Sequence, residues 1–214
     1  MQELFDIYDE RGNWLGTADR NKVHEQGLWH HTIHCWLARP GRNGEARILF
    51  QKRSDDKDTN PGSLDITAAG HLSAGETPEA AVRELEEELG IRVSFDELVP
   101  FGIIREEASG QAGGKRYIDR EVSHVFCCVT SLGLEDFRLQ EEEVAGLYEA
   151  DADELIALME GRISSLNAAG VEIHDGRLSR SELAVTVRSF VSRDYGYYMA
   201  VCRFLRDLVQ RARQ

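Results

Sequence analysis

The stretch Gly70-His71-Leu72-Ser73-Ala74-Gly75-Glu76, followed after six intervening residues by Arg83-Glu84-Leu85-Glu86-Glu87-Glu88-Leu89-Gly90-Ile91, decides the reading of the whole chain. Between and within these blocks the residues Thr77 to Leu89 read as a helix. Thr77 suits the N-cap, Pro78 takes the first helical position, where a missing N–H costs nothing, and Gly90 supplies the stop. On this helix Glu84, Glu87 and Glu88 stand at i, i+3 and i+4, so three carboxylates share one face within reach of a single ion. Val82, Leu85 and Leu89 fall on the other side and can anchor in a core. Three glutamates on a helix ordinarily make an exposed acidic face. Here only Arg83 is near enough to compensate them, and a hard divalent cation such as Mg²⁺, which prefers oxygen ligands, relieves the repulsion.

Working outward, the chain has 214 residues, 42% hydrophobic and 29% charged, with 25 basic against 38 acidic side chains and a net charge of −13. That length fits one domain with a sizeable core. Disorder and collagen-like repeats are excluded, and the acidic balance argues against nucleic-acid partners while allowing a local basic pocket for a small phosphorylated ligand. The N-terminus, Met1 to Asp6, lacks the basic segment and apolar run of a signal peptide, and no stretch approaches the roughly 18 apolar residues of a membrane span. These features read as a cytoplasmic protein without a membrane partner. Cys35, Cys127, Cys128 and Cys202 form no CxxC pair and read as reduced, buried thiols.

Alternation over Leu4 to Asp9 and again from Trp14 to Thr17, around Arg11-Gly12-Asn13, predicts a β-hairpin. A polar segment from Asp19 to Gly27 follows. Strands are expected near 31–38, 47–52, 65–69, 101–105, 117–130 and 144–149, then a helix over 152–159. The C-terminal third reads as helical, with Tyr198, Val201, Leu205, Leu208 and Val209 in one apolar stripe that serves as core or as a homodimer contact. The whole is a single α/β domain over 1–214, with a β-hairpin extension at 1–29, a core at about 30–160 and a C-terminal helical extension at 161–214.

The quoted blocks resemble the signature of the Nudix hydrolases, G-x5-E-x7-R-E-U-x-E-E-x-G-U, where U is a bulky aliphatic residue. Every fixed residue is present in order, and the one departure is six residues between Glu76 and Arg83 where the family has seven. The resemblance implies the Nudix fold, an α/β/α sandwich with a mixed sheet, and hydrolysis of a diphosphate linkage in a nucleoside diphosphate derivative or nucleotide. It further implies that Glu84, Glu87 and Glu88 hold Mg²⁺, with Mn²⁺ as a substitute, that the Gly70 carbonyl joins them, and that Arg83 orients the carboxylates. Glu76 is structural in this scheme. In the family the general base comes from the box or from a glutamate on a later loop, and the run Gln140-Glu141-Glu142-Glu143 supplies candidates, with Glu141 taken first.

Four of the seven histidines, His24, His30, His31 and His34, fall within eleven residues. A histidine cluster ahead of such a box is similar to that of the type I isopentenyl-diphosphate isomerases, which share the fold and hold a metal with histidines and two glutamates. Carried across, His24, His30 and His71 match the three histidine ligands and Glu121 the second glutamate, with Asp119 where the first would stand. Arg53 and Lys57 match the basic residues that grip a diphosphate, and Trp36 falls at a matching position. Histidines admit Mn²⁺ or Zn²⁺ more readily than Mg²⁺. The isomerases move protons at carbon with a cysteine two residues before the third histidine, and here that residue is Ala69, which can neither donate nor accept a proton. The intact Arg83 to Glu88 segment therefore favours a hydrolase, and an isomerase-like enzyme or a non-catalytic nucleotide-binding module are the alternatives.

Overall fold

A computed structural model describes residues 3–112 and 114–213. Strands β1 (Leu4–Tyr8) and β2 (Trp14–Asp19) form the expected hairpin. The polar segment after it is a short helix, α1 (Arg20–Gln26), which the sequence reading passed over. Its ends are encoded locally: the Asp19 side chain accepts from the Lys22 N–H, and Gly27, at φ 62°, closes it by donating to the Val23 carbonyl. Gly27 has a second reason to lack a Cβ, which would stand 2.6 Å from Ile118 Cγ2.

Strand β3 (Trp29–Pro40) is the centre of an 11-stranded mixed sheet. It runs parallel to β8 (Lys115–Val129) and antiparallel to β1, to β4 (Ala46–Arg53) and to β6 (Ala68–His71). Beyond β8 lies β7 (Val99–Ala112), β5 (Leu64–Asp65) pairs β4, and β9 (Val144–Asp151) pairs the far side of β4. Period-two alternation divides the buried residues between two cores. Trp36, Ala38, Ile48, Phe50, Tyr148 and Ala150 pack against α3 (Ala152–Met159) and α4 (Tyr195–Arg211). Their neighbours Cys35, Leu37, Leu49 and Leu147 pack against Leu85 and Leu89 of α2 (Ala81–Leu89). The result is the expected α/β/α sandwich.

The C-terminal region departs from its expected helical character. Residues 166–185 form a second hairpin, β10 (Leu166–His174) and β11 (Arg177–Val185), which extends the sheet beyond β9. Its turn is Asp175-Gly176 with φ 49° and 70°, a pair of positive angles that suits a tight two-residue hairpin loop. Only α4 is helical in the manner expected, and Tyr198, Val201, Leu205 and Val209 of its stripe are buried within the chain itself. That packing answers the choice between core and homodimer contact for this stripe in favour of core. All four cysteines are free and buried, and burial pushes their thiols up. No helix among the described residues is long and apolar enough to cross a membrane.

Candidate functional site

The helix bearing the carboxylates begins with a 3-10 turn, Pro78–Ala80, before α2 proper. Thr77 has the extended backbone of an N-cap, but its side chain makes no capping hydrogen bond. The tighter turn rises about 2.0 Å per residue against about 1.5 Å in an α-helix, so it spans more length with fewer residues. Arg83 consequently still meets Glu76, with Nη2 at 3.2 Å from Oε2, across the shortened interval. It also pairs with Glu84 and Glu87 at 2.9 Å each.

The three carboxylates are not equivalent. Glu84 and Glu88 are buried, whereas Glu87 is half exposed and drawn to Arg83. Among the described residues the three do not converge as a ready-made ligand group, as their spacing alone suggested. Burial pushes the Glu84 carboxyl up to about 7 and that of Glu88 up to about 8, with Glu84 adding repulsion to Glu88. Glu88 accepts from the Ala69 N–H at 3.3 Å and from Gln51 Nε2 at 3.2 Å. At Gly70 a Cβ would stand 2.4 Å from the Glu84 carboxyl carbon, so only glycine lets that carboxylate lie against the β6 backbone.

A second cluster is assembled by the register of β3 with its neighbours. His30 pairs with Glu121 of β8, and Thr32 pairs with His71 of β6. Helix α1 adds His24. Nitrogens of His24, His30 and His71 lie within 4.8 Å of one another, and His30, Asp119 and Glu121 form an overlapping group. Asp119 Oδ1 is 3.6 Å from Nε2 of both His24 and His30, and Glu121 is 3.8 Å from His71 Nε2. Phe5 of the N-terminal hairpin stacks on His30 and His71, at centroid distances of 5.4 and 4.7 Å. Burial lowers the pKa of both rings and keeps the imidazoles in the neutral, ligating form. Among the described residues His30 Nε2, His71 Nε2 and Asp119 Oδ1 are buried without a hydrogen-bond partner, and their donor set fits a metal ion.

Glu84, Glu87 and Glu88 line one cavity of about 1080 Å³ together with His71, Asp119 and Glu121 of the second cluster, whereas His24 and His30 stand outside its lining. A family model for the NUDIX domain matches residues 9–166, which takes in both clusters. The chain belongs to the Nudix family. An uncharacterized Nudix hydrolase of Clostridium acetobutylicum is 40% identical over 208 residues, 96% of this chain and 98% of its own length. An isopentenyl-diphosphate Delta-isomerase of Corynebacterium diphtheriae is 35% identical over 158 residues, 72% of this chain and 81% of its own. A crystal structure from Deinococcus radiodurans shares the fold with a TM-score of 0.52 at 20% identity, covering 74% of this chain and 90% of that one.

Other Nudix residues singled out in the sequence are placed as follows. Arg53 and Lys57 line the cavity, but Arg53 donates to Asp65 and the Thr59 carbonyl, and Lys57 is ion-paired with Glu143. Glu141 does not line the cavity. Its two carboxylate oxygens accept from the Asp175 and Gly176 N–H groups at 3.1 and 3.0 Å and hold the β10–β11 turn, while Glu142 and Glu143 line the cavity instead. Trp36 is buried and donates to the Tyr197 hydroxyl. Sequence reasoning missed Glu106, Asp65 and Arg193, which reach the cavity wall from elements far apart in the chain and carry no local motif.

Proposed function

We propose that this Nudix protein is a metal-dependent hydrolase that cleaves a diphosphate linkage in a nucleoside diphosphate derivative or related small diphosphate. The observation that carries the reading is the pair of buried carboxylates, Glu84 and Glu88, kept at the head of a polar cavity with too few cations to neutralise them. The oxygen-only donor set of Glu84, Glu87, Glu88 and the Gly70 carbonyl suits Mg²⁺, or Mn²⁺ in its place. When bound, such an ion neutralises charge on the diphosphate and favours attack by water at phosphorus. Arg83 holds Glu84 and Glu87 in orientation, and Arg53 and Lys57 present positive charge to the substrate's phosphates. Glu142 and Glu143 take over from Glu141 as the carboxylates able to accept the proton of the attacking water.

The partnerless His30, His71 and Asp119 atoms support a second site at His24, His30, His71 and Glu121, whose nitrogen-rich donors suit Mn²⁺ or Zn²⁺. Four unpaired thiols suit a reducing compartment, the cytoplasm.

Release of phosphate products from a panel of nucleoside di- and triphosphates, nucleotide sugars and isoprenyl diphosphates tests the reading. Turnover is expected with Mg²⁺ or Mn²⁺ and lost with chelator. Activity indifferent to chelator would sink it, and binding without any turnover would favour a nucleotide-binding module.

Metal binding at the carboxylates carries a pH signature. Glu84 and Glu88 retain protons near neutrality in the metal-free protein, and a cation must displace them. Affinity for Mn²⁺ is therefore expected to tighten as pH rises from about 6 to about 8.5, with proton release measurable by calorimetry in buffers of different ionisation enthalpy. An affinity constant across that range would place the ion elsewhere.

A further inference from the structure

His34, Glu106 and Arg193 line the cavity but belong to neither ligand set above. A ring nitrogen of His34 and carboxylate oxygens of Glu106 and Glu121 lie within 4.8 Å of one another. His34 is buried on β3, and its Nδ1 is 2.9 Å from the Tyr197 hydroxyl. That hydroxyl oxygen also accepts from Trp36 Nε1 at 2.9 Å, and an indole N–H can only donate. Among the described residues the Tyr197 hydroxyl hydrogen has no acceptor other than His34 Nδ1, so the arrangement that satisfies the buried hydroxyl has Tyr197 donating to that nitrogen. Burial keeps the ring neutral, so its one N–H is at Nε2.

Glu106 on β7 faces Glu121 across the β7–β8 pair and accepts from Arg193 at 2.6 Å. Arg193 also reaches Asp65 at 3.5 Å, and the other oxygen of Asp65 accepts from Arg53. The segment carrying Arg193 is docked on β5, where the Val191 N–H donates to the Leu64 carbonyl at 2.8 Å, and on α4, where the Tyr198 hydroxyl donates to the Val191 carbonyl at 2.9 Å. It lies beyond residues 9–166, so the C-terminal extension completes a cavity wall that the family match does not contain.

A neutral N–H donor beside a fixed carboxylate acceptor meets both needs of a hydroxyl group, which accepts one hydrogen bond and donates another. The same set opposes a further metal ion, because the free nitrogen of His34 carries its proton and Arg193 already neutralises Glu106. A hydrocarbon against this wall would leave the His34 Nε2–H without an acceptor and Glu106 with Arg193 alone, which is costly where water is displaced.

We propose that His34 and Glu106, with Tyr197 and Arg193 as positioning residues, bind a hydroxyl-bearing, sugar-like group esterified to the diphosphate and thereby set the substrate class. The proposal rests on the reading of this cavity as a diphosphate hydrolase site, and its test separates the two. Ribose 5-diphosphate and isopentenyl diphosphate are five-carbon esters of the same diphosphate. Their binding to the full chain is measured by calorimetry with Ca²⁺, and phosphate release separately with Mg²⁺. The ribose ester is expected to bind at least about 100-fold more tightly, as for sites built to hydrogen-bond a substrate hydroxyl. Glu106→Gln and Tyr197→Phe are each expected to weaken the ribose ester about 10-fold or more while the isopentenyl ester binds no more weakly than before, a ratio that mere loosening of the fold does not produce. Equal wild-type affinities, or variants that weaken both esters alike, overturn the proposal. Preference without phosphate release from either ester sinks the hydrolase reading and leaves this one standing, release without preference does the reverse, and failure of both esters to bind overturns both.

Discussion

Replacing Glu88 by glutamine is expected to lower kcat by about 100-fold or more, the scale of loss when a preorganised catalytic charge is removed, with the fold intact. Glu88 is buried, and its carboxylate accepts from the Ala69 N–H. The glutamine carbonyl can keep that bond in nearly the same volume, so what disappears is the charge a metal ion needs. Burial already disfavours that charge, pushing the carboxyl up to about 8, so the metal-free variant should melt no lower than the parent. Glu86→Gln is the control on the same helix: Glu86 is exposed and paired with Arg92, away from the cavity, and its loss should leave turnover unchanged. A Glu88→Gln protein with nearly full rate and unchanged metal affinity would remove the carboxylate helix from the chemistry.

The carboxylate helix was legible because everything that makes it is local. Pro78, Gly90 and the i, i+3, i+4 spacing lie within fourteen residues, and α2 with its preceding turn occupies that interval. The strands of the two cores were legible for the same reason, since alternation at period two survives wherever one strand serves two faces, as at Ile48, Leu49 and Phe50. Local signals failed in three ways. Helix α1 has seven residues and one buried side chain, too few for a helical period to show. The hairpin at 166–185 has an exposed, polar second strand, although Asp175-Gly176 was the turn signal that could have found it. In the run Glu141-Glu142-Glu143 composition is constant and only backbone direction differs, so the residue turned toward Asp175 could not be told from those turned inward.

The histidine cluster shows how register converts sequence proximity into chemistry. His30, His31 and His34 are neighbours in sequence but have different surroundings. His30 joins His24 and His71. His31 pairs with His124 at 2.9 Å, beneath Tyr8, and is lowered to about 4 by burial and by its histidine partner. His34 faces Tyr197. Only the strand pairing decides which of them meets the ligands of β6 and β8. Arg193 is the extreme case, since it reaches Asp65 and Glu106 from 128 and 87 residues away in the chain.

The protein is expected not to exchange solvent deuterium into isopentenyl diphosphate, despite its 35% identity to an isomerase over 158 residues. Moving a proton on and off carbon needs a donor on one side and an acceptor on the other. Glu121, pushed up to about 8 by burial and by its acidic neighbours, can supply one of them. The other place is Ala69, which pairs with His34 in the sheet and has no titratable group. No cysteine substitutes: Cys35, one strand away, is buried beneath α2 with its Sγ toward the Ala81 carbonyl, and its thiol is held protonated by burial beside Glu88 and Glu84. Arg53 and Lys57 still offer charge to the diphosphate, so weak binding without exchange is the outcome to look for by NMR. Deuterium incorporation that depended on metal and vanished in His71→Ala would show that another residue had replaced the missing thiol, and would turn the reading of this cavity from hydrolysis of an anhydride to proton transfer at carbon.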